Sequence, residues 1–79
     1  MSKFLVVYFD RYDTSWSRHE YVETDSFDDV LVKMSQDSNL VGEDQKELLA
    51  WLRDMYVQVS DEFGCVPQDE TDYLIYKLQ

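Results

Sequence analysis

Basic residues are scarce in this 79-residue chain: 7 Lys+Arg stand against 17 Asp+Glu, a formal charge of −10. That balance excludes direct nucleic-acid binding, because a phosphate backbone is held by a surplus of Lys and Arg. There is one cysteine, Cys65. It rules out a disulfide framework and a cysteine-based zinc site, and a lone thiol fits a reducing cytoplasm. With only Gly42 and Gly64 there is no glycine-rich loop to cradle a phosphate. No apolar run approaches the roughly 18 residues of a membrane span. The six apolar residues Phe4–Phe9 are too few for the core of an export signal, and an acidic chain gains nothing from an anionic membrane surface. The expectation is a cytoplasmic protein.

What the chain does have is apolar and aromatic content, 44% and 15%, which argues for a folded core and against disorder. At this length the core is one domain, 1–79, since two halves would each be too small to bury enough surface.

Local pattern predicts the elements. Lys3–Asp10 is a continuous β-branched and aromatic run, which reads as a strand covered on both faces or central in a sheet. Arg18–Glu23 alternates and forms its hairpin partner across a polar loop. Ser26 is placed as a helix N-cap, with Asp28 and Asp29 in the first turn, where the helix dipole favours anions. Phe27, Val30, Leu31 and Met34 then give one apolar face, and the helix fades near Ser35–Ser38. A second helix, N-capped by Asp44, is expected from Glu43 or Asp44 to Phe63, on the stripe Leu48, Leu52, Met55, Val59 and Phe63. Trp51 and Tyr56 widen that stripe toward the core, and Gly64 is the left-handed residue ending the helix. Thr71–Leu78 alternates as a third strand. The predicted fold is α+β: β-β-α-α-β, a three-stranded sheet in order 2-1-3 with two helices on one face and the third strand parallel to the first.

Catalytic and metal chemistry find little support. Asp37, Asn39 and Gly42 match the start of an EF-hand loop, but Val41 and Leu48 fall where oxygen ligands are required. His19 is the only histidine. Cys65 lies past a helix end, so neither has the neighbours of an activated nucleophile. No metal, cofactor or enzymatic turnover is expected.

The acids form rows. One group is Glu20, Glu23, Asp25, Asp28 and Asp29, and another is Glu43, Asp44, Glu47, Asp54, Asp61 and Glu62. A third is Asp69, Glu70 and Asp72. Glu47, Asp54 and Asp61 are seven apart, so on a continuous helix they fall on one side at intervals of about 10 Å. Strand residues two apart sit roughly 6.6 Å from each other, comparable to phosphates along a strand of DNA. Carboxylates fixed in such rows would displace counterions from a basic cleft, and their field would steer association with it. The expected binding residues are Asp28, Asp29, Glu43, Glu47, Asp54 and Asp61. Tyr12 and Trp16 in the hairpin loop are expected as aromatic anchors of a second, less charged contact. An ordinary solubility role for the charge is the simplest alternative.

In size, acidity and β/α make-up the chain resembles small phage-encoded inhibitors of bacterial defence, the anti-CRISPR and anti-restriction proteins. The resemblance covers composition and no motif. It implies an inhibitor that binds a basic, nucleic-acid-handling complex and blocks its DNA or RNA site as a nucleic-acid mimic. Separately, the chain is expected as a monomer or a weak homodimer, the exposed edge of a three-stranded sheet being a route to pairing.

Overall fold

The computed structural model describes residues 1–12, 17–68 and 70–79, with Ser17 described by its backbone alone. The elements are β1 (Ser2–Asp10), β2 (Ser17–Thr24), α1 (Phe27–Gln36), α2 (Gly42–Met55), β3 (Val57–Ser60), β4 (Phe63–Val66) and β5 (Thr71–Lys77). The strands form one five-stranded sheet in order β2-β1-β5-β4-β3, and every neighbouring pair is antiparallel. The α+β class stands, whereas the expected three-stranded 2-1-3 sheet does not. An extra hairpin, β3-β4, follows the second helix, and the last strand runs antiparallel to β1.

The physical reason lies in residues 55–63. Met55, Val59 and Phe63 are four apart, and a spacing of four satisfies the helical rule and, as twice two, the strand rule. The helix stops at Met55. Tyr56 turns to extended backbone (φ −63°, ψ 134°) while its N–H still closes on the Leu52 carbonyl. Val57 and Val59 then alternate with Gln58 and Ser60, and β-branched residues favour the strand. Asp61 and Glu62 make the turn. The pair lacks the Asn-Gly signature of a tight hairpin, and the register shifts between Gln58 and Ser60.

Gly64 therefore ends no helix. It sits buried in β4, with Gly42 the only described glycine of positive φ. Its lack of a side chain serves packing: the Tyr56 ring lies where a Cβ on Gly64 would be. The Tyr56 hydroxyl donates to Gln58 Oε1 on β3. One ring thus holds the end of α2 against the added hairpin.

α1 begins at its expected cap, where Ser26 Oγ accepts from the Asp29 N–H. α2 instead starts at Gly42 (φ 61°) after Val41, with no side-chain cap, so Asp44 is a first-turn acid and not the N-cap.

The core lies between one sheet face and the helices. Phe4 and Val6 of β1, Val22 of β2, Val66 of β4 and Ile75 of β5 pack with Val30, Leu31 and Met34 of α1 and Leu52 of α2. Cross-strand partners point to the same side. Phe4 opposes Val22, Val6 opposes Ile75, and Gly64 opposes Ile75, which places these residues on the covered face. The alternate residues form the other face in two rows across all five strands. One row is Tyr21, Leu5, Tyr76, Phe63 and Ser60; the other is His19, Val7, Leu74, Cys65 and Val57. No described element covers them. The central strand is β5 and not β1, which is second of the five; β1 is an interior strand with only one of its faces covered.

Gly64→Ala should lower stability by about 1–3 kcal/mol, the cost of forcing a side chain into a packed site. Urea unfolding should show that loss largely recovered in Gly64→Ala/Tyr56→Ala relative to Tyr56→Ala alone. Equal losses in both backgrounds would mean that the ring and the glycine do not share space.

Candidate functional site: the acidic helix layer

The helix layer concentrates acids because its inner stripe is used by Val30, Leu31, Met34 and Leu52, leaving the outer positions polar. Asp28 and Asp29 stand in the first turn of α1, and Glu43 and Asp44 in that of α2. At 100° per residue, Glu43, Glu47 and Asp54 fall within about 40° of one another, a single stripe spanning roughly 16 Å of axis.

Some of this charge is neutralised internally. Arg53 near the end of α2 reaches Asp28 at the start of α1 with two hydrogen bonds, 2.9 and 2.8 Å. Those bonds hold the Asp28 carboxyl below the usual carboxylate range and raise the Arg53 guanidinium. Lys33 lies 3.6 Å from Asp37 and Lys46 3.5 Å from Glu43, both one turn apart on exposed surface. The terminal amine lies 3.8 Å from Asp25. Asp29, Asp44, Glu47 and Asp54 make no ion pair among the described residues.

The expected binding residues therefore divide. Asp29, Glu43, Glu47 and Asp54 share the helix layer. Asp28 is there too, but its charge is matched by Arg53. Asp61 leaves the row, because α2 ends at Met55 and Asp61 sits in the β3-β4 turn. Tyr12 is 80% exposed, its N–H bonded to Asp10 Oδ1. Trp16 lies outside the described residues, as does Asp69. Trp51, expected to widen the core stripe, is exposed instead. It borders an open groove with Met55, Gln68 and Glu70.

Enzymatic geometry is weak at the two residues best suited to it. His19 and Cys65 occupy one row with Val7 and Leu74 between them, so they lie three strand spacings apart, about 14 Å. That is far beyond hydrogen-bond reach. Among the described residues no three His, Cys, Asp or Glu side chains gather to hold a metal ion, and no helix is long and apolar enough to cross a membrane.

Sequence reasoning did not find the cavity of about 190 Å³ between Tyr8, Arg18, Glu20, Asp37 and Leu48. The Arg18 guanidinium lies 4.6 Å from the centre of the Tyr8 ring. Burial, reinforced by the Glu20 charge, pushes the Tyr8 hydroxyl up to about 12. The volume is below the roughly 300–1,000 Å³ of a small-molecule site. The alternation of Tyr8 with Val6, and of Arg18 with Glu20, was the available signal: each pair points to the helix side.

No protein-family model, curated protein or solved structure matches this chain.

Two clamps hold carboxylates below their ordinary range: Arg53 on Asp28, and Arg11 on Asp72 through bonds of 2.9 and 2.6 Å. A carboxyl depressed in the folded state stabilises the fold above its unfolded value near pH 3.9, and that contribution disappears as pH falls through the folded value. Asp28→Asn/Asp72→Asn should therefore unfold at lower urea than wild type near neutrality. The gap should close below about pH 4. A gap of constant size across that range would show that the loss does not come from the ionised carboxylates of the clamps.

Proposed function

We propose that this chain is a stoichiometric binding protein whose helix layer occupies the basic, nucleic-acid-handling site of a bacterial complex. The observation that carries this reading is the separation of charge. Asp29, Asp44, Glu47 and Asp54 are exposed on the helices and unmatched by cations among the described residues. Glu43, beside Lys46, lies on the same stripe of α2 as Glu47 and Asp54. The two uncovered sheet rows hold no Asp, Glu, Lys or Arg. Fixed carboxylates on two packed helices meet a Lys/Arg cleft without having to be ordered on binding, so little conformational entropy is lost there. They release the counterions that such a cleft otherwise holds. Inhibition follows by exclusion: while the helix layer is seated, DNA or RNA has no cations to contact. The cytoplasmic setting and the likeness to anti-CRISPR and anti-restriction inhibitors belong to the same proposal.

A second reading rests on Tyr12, whose ring stands in solvent on the β1-β2 loop. An aromatic anchor there would bind a partner with little dependence on salt.

Capture of partners from bacterial lysate, followed by mass spectrometry, separates the two. The expected result is a nucleic-acid-binding complex whose retention drops about tenfold or more between roughly 50 and 200 mM salt. Glu47→Lys/Asp54→Lys should lose it, whereas Asp61→Lys, in the far hairpin, should retain it. Capture that survives both high salt and the helix double variant, yet fails in Tyr12→Ala, would replace the first reading by the second.

A further inference from the structure

The uncovered face of the sheet leaves a run of apolar side chains in water. Tyr21 is 59% exposed, Val57 48%, and Phe9 and Tyr76 36% each, with Leu5, Val7 and Leu74 half-buried among them. Its charges cancel. Lys3 opposes Glu23 in the β1-β2 register and lies 4.9 Å from the Tyr21 ring, and Asp72 is clamped by Arg11. In a chain of net charge −10, the described residues of this face are mostly apolar, and Lys3 with Glu23 and Arg11 with Asp72 balance in charge.

We infer that this face is the interface of a homodimer, two copies stacked sheet against sheet. Charge selects the occupant. A basic protein is drawn to the helix side, whereas a second copy offers the same neutral, apolar patch. Stacked sheets pack about 10 Å apart and turn each helix layer outward. The acidic layers of the two copies are then separated by about three such spacings, roughly 30 Å, against a Debye length of about 8 Å. Self-repulsion is screened at the one face where contact is made.

The size suffices. Five strands at about 4.8 Å, averaging some 20 Å in length, give a footprint near 500 Å² per copy. Two copies bury on the order of 1,000 Å², the threshold for a specific interface. The aromatic pair Phe63 and Tyr76, with ring centres 4.8 Å apart, supplies the kind of rigid contact that dominates interface energetics. The inference is independent of any basic partner.

Sedimentation velocity across a concentration series tests it, with Cys65 as an internal reporter because it lies in the row of His19, Val7, Leu74 and Val57 on that face. The mass should approach twice the 9.5 kDa of one chain. Alkylation of Cys65 should slow in proportion to the dimer fraction, and raising salt should not dissociate the pair. Tyr21→Glu/Tyr76→Glu, both at exposed positions, should be a folded monomer by circular dichroism with Cys65 fully reactive. Glu47→Lys should leave the dimer intact. A wild-type monomer at every concentration, or a folded Tyr21→Glu/Tyr76→Glu dimer, overturns the inference. So does a dimer lost on Glu47→Lys or in high salt. Should the tyrosine variant fail to fold, the wild-type thiol decides: a Cys65 alkylation rate independent of concentration overturns it as well.

Discussion

Two helices of 10 and 14 residues can cover one face of a five-stranded sheet and no more. The rest of the molecule follows from that shortage. The covered side carries Phe4, Val6, Val66 and Ile75, all fully buried, and each such side chain contributes about 1.5–3 kcal/mol relative to exposure. The other side keeps its apolar rows in water. Polar residues have only the outward surfaces of the helices, the loops and the edge strands to occupy. The acidic layer and the apolar face are two results of one packing constraint.

Charge and fold are linked through a few clamps. Arg53 and Asp28 tie the end of α2 to the beginning of α1, and Arg11 and Asp72 tie the loop after β1 to β5. Of the chain's seven Lys and Arg, two are thus committed to joining elements, and Lys33 and Lys46 sit beside acids on their own helices. The residual field of the helix layer comes from carboxylates with no such assignment. That is why Asp28, prominent in the sequence, contributes less outward charge than Glu47 or Asp54.

The sequence made the first half of the fold readable because its signals were local and unambiguous. The apolar run at Phe4–Phe9 had no helical period, and Ser26 had the correct spacing to bond the Asp29 N–H. The second half failed at a degeneracy. Met55, Val59 and Phe63 fit a helix stripe or a strand alternation equally well, and a turn made by Asp61-Glu62 announces itself with neither Gly nor Asn. Gly64 is required by the space its neighbour Tyr56 occupies and not by a left-handed backbone angle. Of the candidate binding residues, Glu43, Glu47 and Asp54 share a stripe of α2, and Asp61 leaves it because α2 ends at Met55. The uncovered face was implicit in β1, whose two sides are both apolar, but one-sided coverage depends on how many strands share two helices, and that count was hidden in residues 57–66.

The register shift in β3 has a consequence for how far assembly can go. β3 is an edge of the sheet, short and solvent-exposed along its length. A shift between Gln58 and Ser60 interrupts the even row of N–H and C=O groups that another strand would need for pairing. The opposite edge, β2, carries Arg18, His19, Glu20 and Glu23, a charged margin that resists the same approach. With both margins unsuited to lateral growth, chains cannot add side by side into an open ribbon. A contact through the broad face joins a patch to its own copy and closes on itself, so association that begins there is complete at two.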